Sequence, residues 1–258
     1  MRNAECEAIE RARAQVLAAK DKSKAKSAAR LRVSIIVPVL NEEAALPEFL
    51  RMAAGLEPHE IIVADGGSTD LTREVATGKA IWVDAPRGRG PQMNAGARLA
   101  SGDVLLFLHA DTSLAPGALR ALERALDDAE KVGGVFDIRF RGEDWVARCF
   151  DAIYHYRRYF GIFYGDAGIF VRKQVFEAMG GYAPLPLMED YEFGRRLFGP
   201  WWKGGRRMAF LAEPIAVSDR RWRKEGLVGT LVRWVLIQTL YSLRFPAEPL
   251  ARLYRLVR

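Results

Sequence analysis

The residues best equipped for chemistry in this 258-residue chain stand at four places, three of them just past apolar runs. Val104 to Leu108 ends in the polar knot His109-Ala110-Asp111-Thr112. Val33 to Val39 gives way to Asn41-Glu42-Glu43, and Glu60 to Ala64 to Asp65-Gly66-Gly67-Ser68-Thr69-Asp70. A carboxylate is the hard oxygen ligand that Mg²⁺ or Mn²⁺ takes, which makes Asp111 a candidate metal ligand. The fourth place is Met188-Glu189-Asp190, after a proline-rich turn from Pro184 to Pro186, where one of two adjacent acids could act as a general base. Each place also has an ordinary reading: Asp65-Gly66-Gly67 as a turn, Asp70 and Asp111 as caps, and Glu189-Asp190 as acids at a helix N-terminus.

Two basic segments complement these acids. Arg87-Gly88-Arg89-Gly90 puts two guanidinium groups on a glycine-rich turn leading into a helix, a cradle for phosphate or an exposed basic turn. Arg220-Arg221-Trp222 could hold phosphate with aromatic backing, or lie on a basic surface.

The elements that must position these groups alternate. Short β-branched runs without helical period read as buried strands: Val33–Val39, Glu60–Ala64, Ala80–Val83 and Val104–Leu108. Helical segments follow them: one from Asn41, the candidate N-cap, to Gly55, a short one after Asp70, Gln92 to Ala100, and Pro116 to Glu130. Strands alternating with helices imply βαβ units and a mainly parallel sheet, whose carboxyl edge gathers Asn41-Glu42, Asp65 and Asp111. Further strands are expected at 135–140, 169–171 and 209–217, with helices at 145–159, 174–179, from Glu189 through Leu197, and at 227–243, the last stopped by Pro246 and Pro249.

Half of the residues are hydrophobic, which is globular composition. Two cysteines, Cys6 and Cys149, without a CxxC pair give neither a disulfide framework nor a zinc site. Residues 1–30 form a charged extension without the apolar core of a signal peptide, and no apolar stretch approaches membrane-spanning length. A cytoplasmic protein is expected, with peripheral contact at the inner membrane face. The net charge of +7 is uneven: residues 195–258 hold fourteen basic and four acidic side chains, a net +10, against −7 over residues 31–194. Such a tail suits an anionic partner, whether diphosphate, lipid surface or nucleic acid, or a solvated basic face.

Taken in order, strand-PVLNEE, strand-DGGSTD, the Gly/Arg turn, QMNAGA, strand-HADT, GD-strand, a GG turn, MED and RRW resemble glycosyltransferase family 2 from about Val33 to Trp222. The resemblance implies an α/β GT-A fold in residues 31–225, followed by a basic amphipathic helical tail in residues 226–258. It implies inverting transfer of a sugar from a nucleotide-diphosphate donor, a UDP-sugar above others, to a hydroxyl acceptor that is small or lipid-linked, with no nucleic acid partner. Pro38, Val39 and Glu42 would line the nucleoside pocket and Asp65 would read the base. Arg87 or Arg89 would meet the diphosphate; Asn94, Arg221 and Trp222 would join the donor side. Asp111 matches the last acid of the DXD motif, the ligand of a divalent metal (Mn or Mg). Glu189 and Asp190 match the ED motif, with Asp190 as general base. His109 stands where many relatives have the first acid of DXD. Within the family, the wording is similar to a bacterial subgroup associated with arsenosugar biosynthesis. The rival readings are a nucleotidyltransferase acting on a sugar phosphate, which lacks its expected glycine-rich signature here, and a non-catalytic nucleotide- or anion-binding protein.

Overall fold

A computed structural model describes residues 30–140, 148, 165–198, 208–217 and 227–255. The N-terminal extension, Cys6, Cys149, Arg221, Trp222 and the helix expected at 145–159 lie outside the described residues.

Four strands lie where the apolar runs place them: β1 (Val33–Val39), β2 (Glu60–Asp65), β3 (Ile81–Asp84) and β4 (Val104–Phe107). All seven residues of β1 and all four of β4 are buried, as expected of strands covered on both faces. The helices between them are α1 (Leu46–Gly55), α2 (Thr72–Ala76) and α3 (Arg89–Leu99). Next come β5 (Ser113–Leu114), α4 (Ala118–Ala125), β6 (Gly133–Phe140), β7 (Phe170–Arg172), α5 (Lys173–Ala178), α6 (Glu189–Phe198) and β8 (Met208–Val217). The chain closes with α7 (Leu227–Ser242) and α8 (Ala247–Arg255).

One eight-stranded sheet runs β3-β2-β1-β4-β7-β6-β8-β5. Strand β1 pairs in parallel with β2 and β4, β2 with β3, and β6 with β8. Strands β7 and β5 run against their neighbours, so the sheet is mainly parallel, as expected. The register sets Val39 beside Asp65 and Ile36 beside Phe107. The segments that leave β1, β2 and β4 therefore emerge at one rim, with Asn41, Gly66 and His109 all on it.

Two local expectations are corrected. Asn41 is not an N-cap: α1 begins at Leu46, with Ala45 in the cap position and no side-chain cap. Pro47 near the helix start sets that boundary, and Asn41 instead adopts a left-handed φ of 55°. Pro249 does not stop α7, which ends at Ser242; it stands in the first turn of α8, where a missing N–H costs nothing.

The carboxyl ends of β1 and β2 are held by a side chain that periodicity does not reveal. Gln92 in α3, 4% exposed, donates its amide to the carbonyls of Val39 (2.7 Å) and Ala64 (2.8 Å). Replacing Gln92 with Ala strips both buried carbonyls of that donor and is expected to lower unfolding free energy by about 1–3 kcal/mol in urea denaturation. A change below ~0.5 kcal/mol, within the range of ordinary surface substitutions, would show that the clamp carries no load.

Candidate active site

The rim is built by two loops that hydrogen-bond to each other. The Asn41 N–H donates to Ser68 Oγ and Asn41 Oδ1 accepts the Thr69 N–H, both at 2.8 Å. Glu42 N–H donates to Thr72 Oγ1 (2.9 Å), Glu43 N–H to Asp70 Oδ2 (3.2 Å), and Leu71 N–H to Glu43 Oε2 (3.0 Å). The left-handed turn at Asn41 lets both its backbone and its side chain face the second loop. Asp65, only 4% exposed, accepts the N–H groups of Gly67 (2.9 Å) and Ser68 (2.9 Å), and also the Ser68 hydroxyl.

The Asp65 carboxylate thus shapes its own turn at the rim. Pro38 and Val39 are buried at the carboxyl end of β1. Glu42 stays half-buried on the rim. Asn94 pairs with the backbone of Tyr182, donating to its carbonyl (2.8 Å) and accepting its N–H (2.9 Å), and so holds that turn.

Across the rim stands an acidic cluster. Met188, with a left-handed φ of 67° uncommon outside glycine, turns the chain into α6 and delivers Glu189 and Asp190 to its first turn. Glu189 is buried and Asp190 half-buried. Asp190 accepts the Gly165 N–H at Oδ2 (2.7 Å) and the Tyr191 N–H at Oδ1 (2.6 Å). Gly165 opens a short 3-10 turn that also carries Asp166. Asp166 lies 3.6 Å from Nε2 of His109, at the end of β4. A Cβ on Gly165 would sit 3.0 Å from that His109 nitrogen and 3.2 Å from Asp190 Oδ2. Glycine is thus what lets the base candidate and the β4 knot close on each other.

Arg89 is the first residue of α3 and is exposed, and it feels the charge of these acids. Desolvation lowers the pKa of its guanidinium, but the charges of Glu189, Asp166 and Asp190 outweigh that and raise it. The approach depends on Gly90, where a Cβ would meet the Ala183 carbonyl at 2.8 Å and Glu189 Cβ at 3.6 Å. Arg87 remains exposed on the turn before α3.

Burial, and then repulsion from Asp190, push Glu189 up to about 7, with Arg89 pulling the other way. Burial also raises Asp190, against the Gly165 hydrogen bond and Arg89. Raised carboxyls facing a cleft are the equipment of acid–base chemistry near neutral pH.

Asp111 is exposed at the same rim, beyond His109. No group of three His, Cys, Asp or Glu among the described residues is arranged to hold a metal. An exposed carboxylate can give one oxygen ligand to a divalent cation that takes its others from a diphosphate and water. Two members of the site were not singled out from the sequence. Asp166 lay within the GD-strand pattern, which hinted at it, whereas Gln92 gave no signal beyond its helix.

Because the folded-state pKa of Glu189 lies above its ordinary value, ionising it opposes folding. The cost is full above about 7 and vanishes where the acid is protonated in both states. Glu189→Gln is expected to stabilise the fold by about 3 kcal/mol at alkaline pH, fading as pH falls towards ~4. Thermal unfolding across pH checks this, and equal gains at all pH values would refute a buried charge as the cause.

Residues 34–179, more than half of the chain, match the family model described as glycosyl transferase family 2. The undecaprenyl-phosphate 4-deoxy-4-formamido-L-arabinose transferase of Serratia proteamaculans is 26% identical over 167 residues, covering 57% of this chain and 51% of that protein. A PGL/p-HBAD biosynthesis glycosyltransferase of Mycobacterium bovis is 41% identical over 93 residues, 31% of this chain and 36% of that one. The chain thus spans about half, or less, of these curated relatives. Glucosyl-3-phosphoglycerate synthase from Mycobacterium tuberculosis, solved with Mn²⁺, UDP and glucosyl-3-phosphoglycerate, superposes with a TM-score of 0.56 at 21% identity, over 88% of this chain and 84% of that chain. TarS of S. aureus, in complex with UDP-GlcNAc, does so with a TM-score of 0.55 at 18% identity, over 74% and 59%. At such identities the structural likeness shows the fold, a mainly parallel sheet of GT-A type. With the family model matched over the strands that build the rim, the chain belongs to glycosyl transferase family 2.

Proposed function

We propose that the protein is an inverting glycosyltransferase that moves a sugar from a nucleotide-diphosphate donor, a UDP-sugar, to a hydroxyl acceptor. The observation that carries this reading is the contact across Gly165. It sets the half-buried Asp190 carboxylate beside the His109 end of β4, at the rim where Asp111 is exposed. A base and a diphosphate-binding edge then flank one cleft, as a single displacement needs. The curated relatives named as transferases and the solved neighbours holding UDP support the same chemistry.

In the reaction, the acceptor oxygen attacks the anomeric carbon as the bond from that carbon to the diphosphate oxygen breaks. The acceptor proton passes to Asp190. Asp190 is the better placed of the two acids, because Glu189 is buried behind it. The N–H groups of Gly165 and Tyr191 fix the direction of its carboxylate. Burial and the charge of Asp166 raise the Asp190 carboxyl, and the Gly165 hydrogen bond and Arg89 oppose them. Arg87 or Arg89, both exposed at the start of α3, would meet the diphosphate. Asp111 would hold a divalent cation together with the diphosphate oxygens, and that cation would neutralise charge growing on the leaving group. An imidazole at His109, in place of a carboxylate, favours Mn²⁺ over Mg²⁺. An arsenosugar precursor is one acceptor that this reading accommodates.

Asp190→Asn is expected to lower transfer by about 10²–10⁴-fold while leaving donor affinity within about twofold. The wild-type rate should fall as the medium turns acid, because burial raises the Asp190 carboxyl and protonation removes its base form. Near wild-type transfer by the variant would remove Asp190 from the reaction. In thermal-shift titrations, UDP-sugars should stabilise the protein more with Mn²⁺ than with Mg²⁺, and Asp111→Asn should abolish the metal-dependent part. A metal response that survives in the variant would reassign the ligand.

A further inference from the structure

Helix α7 is apolar on two opposite faces, and only one of them is docked. Ile237, 4% exposed, is buried with Met188 and Tyr191, and the Tyr241 ring meets Tyr191 edge-on with centroids 5.9 Å apart. The other face carries Val232 (62% exposed), Val235 (57%) and Leu236 (47%), continued by Leu243 (68%) one residue past the helix. At 3.6 residues per turn these positions fall within an arc of roughly 100° opposite Tyr241. Phe245, 54% exposed, extends the stripe beyond the turn at Arg244, whose φ is 69°. Surface helices ordinarily turn polar residues outward, and a contiguous exposed apolar stripe marks an interaction surface. One face of the helix packs on the core while the other is turned outward. Among the described residues, no helix is long and apolar enough to cross a membrane.

Charge decides what the stripe meets. Residues 195–258 carry a net +10, and Arg244 and Arg252 are exposed near the end of the stripe. Two copies meeting through this face would bring like charges together, whereas an anionic lipid surface attracts them and takes up the apolar residues between.

We infer that the exposed face of α7, with Phe245, Arg244 and Arg252, docks the protein on the surface of an anionic lipid bilayer. The helix lies in the interface. Its inner face grips Met188 and Tyr191, which flank Glu189 and Asp190, so docking sets the acid pair at a fixed height above the lipid. An acceptor carried by a lipid would then be presented to the cleft from one side.

The test is co-sedimentation of the full chain with vesicles of phosphatidylglycerol and phosphatidylcholine, and with vesicles of phosphatidylcholine alone. Neither donor nor acceptor is needed, so failure here leaves the transferase reading untouched. The wild type should pellet with anionic vesicles and remain in solution with neutral ones. The triple variant Leu236→Ser, Leu243→Ser, Phe245→Ser alters only exposed positions and should bind at least about tenfold more weakly with its circular dichroism unchanged. The pair Arg244→Glu, Arg252→Glu should weaken binding to anionic vesicles by about tenfold or more. Wild-type protein that ignores anionic vesicles, or a triple variant that binds them equally well, overturns the proposal. So does concentration-dependent dimerisation that the triple variant abolishes, because the face would then belong to a second copy.

Discussion

Two adjacent carboxyls, Glu189 and Asp190, sit in surroundings that disfavour their charge, with Asp166 close by and one guanidinium, Arg89, set against all three. Much of the local architecture answers to that imbalance. The left-handed backbone at Met188 turns the acids inward. Gly90 lets the first turn of α3 lie against Ala183 and Glu189, and the Gly165 N–H takes part of the Asp190 charge. Replacing any one of these would leave a buried acid short of compensation, which in a low-dielectric setting is costly.

The opposite wall has a different logic. Loops 41–43 and 68–72 exchange hydrogen bonds along their length, and Gln92 fastens the strand ends beneath them. Most of the polar groups there are spent on one another. The wall is a preformed surface whose shape, more than any single protruding side chain, is available to a ligand. The reactive acids are thus concentrated on one side of the cleft, and rigid backbone on the other.

The sheet and its working edge were legible in the sequence because β1, β2 and β4 are continuous apolar runs that stop at polar residues, and parallel pairing sends all three stops to one rim. Asp111 and Glu189-Asp190 were found through their order along the chain. What escaped depends on contacts between distant segments. Asp65 bonds within its own turn, and Asn41 and Asn94 bond to distant segments, none of which the sequence announces. Arg89 reads as part of a flexible turn until α3 is seen to begin at it. The packing of α7 on Met188 and Tyr191 could not be read from its composition, because a helix apolar on both faces has no periodicity that says which face is buried.

Helix α3 and the turn before α6 touch with almost no tolerance. Gly90 faces the Ala183 carbonyl, and Asn94 clasps the backbone of Tyr182, eighty-eight residues further along the chain. Gly181, at a φ of 74°, would place a Cβ 2.5 Å from Asn94 Oδ1. These two segments cannot drift apart independently over evolutionary time. A side chain gained at position 90 or 181, or an amide lost at 94, must be matched by a rebuilt turn at 181–183, so divergence here proceeds by paired steps or not at all.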